Sequence, residues 1–491
     1  VFLGTVPKKS FESLKDSLKN FDKAYIEDIS QDSTMINLMV IGSKLEEKEM
    51  RNQLKTHSFT ELNFDFKGSF EDEFERIKLR EEEIKKADNK LKTTAEKLLK
   101  IIPKLKIQDN YLDNLLQREN VVSNFKKTDT VDIIEGYILA NMEYEFQNLI
   151  TRVSNRNSYL EISDVDKENP EVPILLKNSG LTGLFASITQ MYALPRYNEI
   201  DPTPLLTPFY IAFFGMMGAD AGYGLTLLLG TLFVLKFFNL NKKMRLFVEF
   251  FFYLSFSVII WGVLYGSYFG LEIPGMWRWV NPSTEFQKLL ILSVAFGLIH
   301  LFFGLAIKAY MNFRDGKPLD ALYDVGFWYM ALAGGILFLL FKMLKLSPSI
   351  ANISMWVMIV GMVGIVLTGG REAKSIGGKI GGGLYSLYGI SSYVGDFVSY
   401  SRLMALGLAG GFIAQAMNII AGMLGGNLIG LIFVPVIFVL GHLFNMFLSF
   451  LGAYVHTSRL MYVEFFGKFY EGGGKPFKDF RTESKYINLD D

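Results

Sequence analysis

The 491-residue sequence contains no cysteine, which excludes thiol catalysis, disulfides and cysteine-ligated metals and leaves the redox compartment undetermined. It also lacks net charge. Fifty Lys and Arg balance fifty Asp and Glu, so there is no bulk electrostatic case for nucleic acid as a partner. No amino-terminal signal peptide precedes the strand-like run that begins at Val1, and no initiating methionine opens it, as expected of a fragment. Phosphate cradles are missing too. The glycines of 369–383 and 472–474 resemble them superficially, but neither stretch places G-x-x-x-x-G-K-[ST] between a strand and a helix. No nucleophile elbow and no HExxH motif is found, so neither a catalytic site, nor a cofactor, nor a metal is expected in this chain.

What is present is unevenly spread: charge gathers before about residue 180 and apolar runs follow residue 205. The expected organisation is a soluble module over 1–200, a membrane module over 201–470 and a polar tail over 471–491. Val1–Pro7 and Met35–Ile41 read as strands around a helix whose Phe11, Leu14, Leu18 and Phe21 have helical spacing. Ile133–Ile138, a helix through Phe146 to Val153, and Tyr159–Ile162 repeat that order, which predicts two related halves in one or two small α/β lobes. Between them, residues 70–122 carry Phe70, Phe74, Ile77, Ile84, Leu91, Ala95, Leu98, Ile102, Leu105, Leu112 and Leu116 at coiled-coil positions. At 1.5 Å per residue such a helix reaches on the order of 75 Å, with a kink expected at Pro103. A seam that regular needs a partner helix, which is either missing from this sequence or on another subunit.

From Pro202 onward, apolar segments run over 203–238, 246–270, 287–313, 321–346, 351–369, 384–424 and 427–470. A bilayer span needs about 20 residues, so the last two, at about twice that, must tilt strongly or protrude. Lys and Arg crowd one set of connections: Lys236, Lys242, Lys243 and Arg245; Lys308, Arg314 and Lys317; Arg371, Lys374 and Lys379; and the tail with Lys468, Lys475, Lys478, Arg481 and Lys485. The opposite connections hold Arg278 and Lys288, then Lys342 and Lys345, then none between Met423 and Asn427, so the rich side is cytoplasmic. Glycines around Asp220 in 215–224 break the first segment into two short helices. Eight crossings result, with both termini cytoplasmic and Asp220 near the opposite face.

Inside 384–424 stands one arginine, Arg402. Guanidinium cannot escape a low-dielectric site by losing its proton, and at bilayer depth it costs roughly 2.5 to 3.5 kcal/mol even on the mild insertion scale. A helical wheel sets Gly395, Ala409 and Ala416 on its face, with Ser391 and Ala405 flanking, a stripe that admits another helix closely. On the last segment His442, Asn445, Ser449 and His456 share one arc, and Arg459 lies just beyond it. That stripe fits a water, proton or ion path better than packing alone. Asp220, Asp396 and Glu464 either pair with the arginines or line the path.

Three runs carry a family resemblance: SYSRLMALGLAG at 399–410, GMMGADAGYG at 215–224 and HTSRLMYVEFFGKFYEGGGKPFKDF at 456–480. They resemble the membrane subunit a, or subunit I, of bacterial and archaeal rotary V-type (V/A-type) ATPases. The resemblance covers the membrane half by motif and the soluble half by architecture. It implies an α-helical polytopic membrane domain with an N-terminal cytoplasmic α/β and coiled-coil stator arm. The implied function is the static ion channel of the motor, with no catalytic nucleotide site of its own. Arg402 would meet a carboxylate on a rotor ring of small c/K-type subunits, with Arg459 as its companion, beside two half-channels carrying H+ or Na+. The arm would bind E/G-type peripheral stalks, and the protein would lie in the lipid bilayer of a prokaryotic cell. The sequence departs from the family in lacking the outgoing arm of the coiled-coil hairpin. Two other classes stay open: a stand-alone secondary transporter, favoured by the glycine break, and a membrane-anchored coiled-coil tether.

Overall fold

The computed structural model describes residues 1–491 except 20, 22, 33, 63–68, 156, 346, 372, 425–427, 479, 481–485 and 487–491. Asn427, Arg481 and Lys485, counted among the connections and the tail, lie outside the described residues. Two compact units divide the chain, Val1–Leu116 and Gln117–Asp491.

The first unit opens with β1 (Phe2–Pro7), α1 (Lys8–Leu18), β2 (Tyr25–Gln31), β3 (Met35–Ile41), α2 (Glu47–Thr56) and β4 (Thr60–Glu61). The strands pair antiparallel in the order β2-β3-β1-β4. Alternation puts Phe2 and Val6 of β1 and Ile36, Leu38 and Val40 of β3 on one buried face. Leu14 and Leu18 of α1, and Met50 and Leu54 of α2, one helical turn apart in each pair, close over it. Gly4 lets β4 in: a Cβ there would stand 2.3 Å from the Thr60 carbonyl oxygen. α3 (Phe70–Val122) then runs 53 residues as one helix containing Pro103. Its seam residues Phe74, Ile77, Ile84, Leu91, Leu98 and Leu105 are all exposed.

The second unit begins with the end of α3 from Gln117, followed by the two-residue strands β5 (Lys126–Lys127) and β6 (Asp132–Ile133), then α4 (Glu143–Val153). The expected second strand-helix-strand copy does not form. Residues 134–138 and 159–162 carry no strand, and Ile134 and Tyr159 are exposed. Strand-like composition alone does not hold a strand that has neither a neighbour nor an apolar face to cover.

After β7 (Pro173–Ile174) and α5 (Gly180–Tyr192) come the apolar helices: α6 (Thr203–Met217), α7 (Ala221–Phe237), α8 (Lys242–Tyr265) and α9 (Phe286–Arg314). α10 (Pro318–Ala321) leads through a π turn into α11 (Phe327–Met343), followed by α12 (Pro348–Gly369), α13 (Ile376–Ser399), α14 (Ser401–Leu424) and α15 (Leu428–Arg459). A π turn over Leu460–Phe465 and a 3-10 turn over Phe466–Lys468 extend α15, and β8 (Lys475–Pro476) pairs with β7. The protein is mostly helical, and among the described residues six helical runs are long and apolar enough to cross a membrane by length and composition, Ile376–Met423 counting as one run across α13 and α14. α6 and α7, at 15 and 17 residues, are the two short helices that the glycine-broken run predicts.

Two segments end differently from their reading. The run over 246–270 stops being helix at Tyr265, because Gly266 takes the left-handed conformation (φ 68°) that closes α8, and 266–285 forms a loop. The run over 384–424 is not one long helix but two, α13 and α14, separated at Tyr400. Consequently Ser391 and Gly395 do not share a continuous helical register with Arg402. The core gathers around α6, where Leu206, Tyr210, Phe213 and Phe214 pack with Leu254 and Val258 of α8, Tyr400 at the α13–α14 joint, Leu403 of α14 and Ala453 of α15. α7 lies tightly on α8, since a Cβ at Gly262 would stand 2.1 Å from the Ala221 amide nitrogen.

Candidate functional site

Tyr400 explains the break that precedes Arg402. Its ring is fully buried against α9 in a slot made by Gly297, where a Cβ would meet the ring at 2.3 Å. Its hydroxyl shares a 2.8 Å hydrogen bond with Nδ1 of His300, one turn further along α9. The backbone tightens there: the Tyr400 amide donates to the Phe397 carbonyl, and the Leu403 amide donates to the Tyr400 carbonyl. The two serines flanking Tyr400 thereby end one helix and start the next.

Arg402 sits on the first turn of α14 with its guanidinium mostly covered. One Nη2 hydrogen goes to the Ser399 hydroxyl, and that hydroxyl donates in turn to Oε1 of Glu464. The direct Arg402–Glu464 separation is 3.6 Å. Serine therefore bridges an ion pair slightly too long for a direct hydrogen bond. Glu464 is buried, and its other oxygen, like Nη1 of Arg402, has no hydrogen-bond partner among the described residues. The π turn contributes: a wider turn after Arg459 carries Glu464 round toward α14, where α-helical spacing would have turned it elsewhere. Arg459 itself is exposed, makes no ion pair among the described residues, and lies within electrostatic reach of Arg402.

The polar stripe of α15 resolves into two groups. His442 and Asn445 belong to a buried hydrogen-bonded chain. The Tyr223 hydroxyl meets Nδ1 of His442 at 2.8 Å and accepts from the Asn445 amide at 2.9 Å, while Nε2 of His442 meets the Asn418 side-chain oxygen at 3.0 Å. Asn418 donates onward to the Phe269 carbonyl, and Asn445 to the Gly410 carbonyl. Ser449 faces α14 at Gly410, where a Cβ would come within 2.9 Å of its hydroxyl. His456 lies two turns beyond Ser449 on α15, and its buried Nδ1 has no partner among the described residues. The structure thus brings His442 and Asn445 together, and Arg402 and Glu464 together, with Ser449 between the two groups in sequence along α15.

Asp220 and Asp396 are engaged elsewhere. Asp220 caps α7 and accepts from the amides of Tyr223, Phe269 and Gly270 and from the Ser267 hydroxyl, at 2.7 to 3.0 Å. It staples the turn before α7 to the loop after α8. Asp396 pairs with Lys468 at 2.5 Å, and the ammonium also lies 4.0 Å over the Tyr393 ring. Beside the Asp220 loop a crevice of about 30 Å³, lined by Ser267, Gly270, Glu272, Ser283, Gly407 and Gln415, has room for a water molecule. Among the described residues no three His, Asp or Glu are grouped to hold a metal ion.

Ser399, Tyr223, Asn418 and Lys468 escape a reading of the sequence. Each is an ordinary polar residue near a helix end or within an apolar run, and each finds its partner on a distant segment. A buried hydroxyl or amide must be paired, so Asn418, with Gln415 one of two polar side chains among the apolar residues of 411–424, was the available signal.

A family model described as the V-type ATPase 116kDa subunit family matches residues 22–273. The A-type ATP synthase subunit I of Methanocaldococcus jannaschii is 29% identical over 98% of this chain and 75% of its own length. The A-type ATP synthase subunit I of Pyrococcus abyssi is 30% identical over 100% of this chain and 75% of its own length.

Proposed function

The chain belongs to the V-type ATPase 116kDa subunit family, and on that premise we propose that it is the static ion-conducting subunit of a rotary V/A-type ATPase. It is subunit I of the complex, a membrane-embedded and non-catalytic component. Residues 201–470 form the ion-translocating domain, with α6 and α7 as two short crossings beside the six longer helices, eight in all. Residues 1–200 form the cytoplasmic stator arm and 471–491 a cytoplasmic tail. Facing α14 and α15 is a ring of small c/K-type subunits that each carry a carboxylate, and the arm takes E/G-type peripheral stalks. The setting is a prokaryotic cell membrane.

The observation that supports this best is the state of the helices bearing the two arginines. The most apolar 18-residue windows within 376–423 and 433–468 are 11% and 17% buried, against 22% to 39% in the other four long apolar runs among the described residues. On α14 the exposed face begins beside Arg402 and runs through Ala405, Ala409 and Ala416, small residues that let another helix approach. An arginine held by one bridged carboxylate borders a surface left open for a partner.

Arg402 attracts an ionised ring carboxylate and weakens its hold on the bound cation. Its loose pairing with Glu464 lets the guanidinium exchange between the fixed carboxylate and the moving one. The positive charge also opposes direct cation leakage. One half-channel runs from the crevice by Asp220 along Asn418, His442, Asn445 and Ser449. The other runs past His456, Arg459 and Glu464 toward the Asp396–Lys468 pair. A neutralised ring carboxylate then turns through lipid, where an unpaired charge would be costly.

The test is Arg402→Ala in the assembled complex reconstituted into liposomes. Ion transport coupled to ATP turnover falls to background while the subunits still copurify. Normal coupled transport by that variant contradicts the proposal.

A further inference from the structure

We propose that His300 and Tyr400 are a positioning pair that sets the guanidinium of Arg402 from behind, without contacting the transported ion. This rests on the role proposed for Arg402 and adds to it two fully buried residues, one on α9 and one at the α13–α14 joint.

The imidazole of His300 is completely buried and touches the site on both of its sides. Its Nδ1 shares the 2.8 Å hydrogen bond with the Tyr400 hydroxyl. Its ring stacks on Phe465, with centroids 4.2 Å apart and planes 21° apart. Tyr400 is the residue after Ser399, and Phe465 is the residue after Glu464. Ser399 and Glu464 are the two groups that hold Arg402. One side chain on α9 therefore fixes the position of each neighbour of the arginine's partners, one by a directional bond and one by stacking. Phe209, 4.4 Å from the imidazole on its own side, and Phe213, edge-on at 5.1 Å, close the rest of the box.

Packing alone does not require the hydroxyl. A phenyl ring would fill the slot at Gly297 equally well, and burying a phenol without a partner is unfavourable. What the hydroxyl adds is direction. It fixes how deep the ring sits in the slot, and through the tight backbone at 397–403 it fixes where α14 begins, hence where Arg402 projects. Without it the ring can slide, the joint can relax, and the bridge through Ser399 loses its register.

The experiment uses the whole complex in liposomes and reads ATP-driven ion transport per ATP hydrolysed. Tyr400→Phe and His300→Leu should assemble normally, and each should lower that ratio roughly 10- to 100-fold, the range that a misplaced reacting group commonly produces. The double variant should be no worse than either single one. His300→Asn, whose amide can reach the position of Nδ1 but cannot stack on Phe465, should restore part of the ratio. An unchanged ratio in Tyr400→Phe overturns the inference, and so does an unchanged ratio in His300→Leu. If Tyr400→Phe fails to assemble, the His300→Leu and His300→Asn comparison decides. Arg402→Ala in the same series separates the two levels. Coupled transport surviving in Arg402→Ala sinks the role proposed for the arginine, whereas its loss beside a normal Tyr400→Phe sinks only the positioning pair.

Discussion

Glu464 is what makes an arginine tolerable at the start of α14. A buried charge that loses its partner is destabilising by roughly 3 to 5 kcal/mol, yet this pair is held at 3.6 Å through a serine rather than by a two-pronged contact. Each charge keeps one polar atom without a partner among the described residues. Asp220 is the opposite case. Its carboxylate accepts from four donors and has become part of the scaffold that holds Tyr223 against His442. Asp220→Ala should strand buried amides and lower the stability of the membrane domain by roughly 1 to 3 kcal/mol, read as a lower melting temperature of the purified complex. Unchanged melting with impaired ion transport would make Asp220 a member of the path itself.

At the scale of elements, the decisive feature is the joint between α13 and α14. Nothing in Val398-Ser399-Tyr400-Ser401 announces it, because the break contains neither glycine nor proline and is imposed by a ring seated in a slot on α9. The split at 218–220 was legible for the opposite reason, since Gly215, Gly218, Gly222 and Gly224 surround an acid that caps α7. A wheel drawn on α15 correctly grouped His442 with Asn445 because that helix is continuous from Leu428 to Arg459. It could not anticipate the π turn that brings Glu464 to Arg402. The strand-like runs at 133–138 and 159–162 misled because β-propensity describes a fit to a sheet that these residues do not have. The α7–α8 contact gives a prediction at this scale. Gly262→Val would drive a side chain into the Ala221 backbone, a clash of the kind that costs typically 1 to 3 kcal/mol or more. Yield of assembled complex should fall, and the remainder should pump less well because α7 carries Tyr223.

On the scale of the whole molecule, the second unit centres its core on α6, α8 and α9 and covers α14 and α15 less, although Leu403, Ala414, Phe450 and Ala453 join that core. Those two helices bear both arginines and the polar stripe. This fits the proposed stator role, in which one side is packed for rigidity and the other is kept open for a surface that must move past it. The absence of native cysteine makes that open side directly addressable. Ala409 is exposed on α14, about two helical turns from Arg402. Ala409→Cys in the native complex, paired with a cysteine placed next to the carboxylate of the small ring subunit, should form a disulfide cross-link on oxidation. With ATP turning the motor before oxidation, every copy in the ring should become able to cross-link. A cysteine at 409 that reacts with lipid-soluble reagents but never cross-links to a ring subunit would contradict the stator assignment.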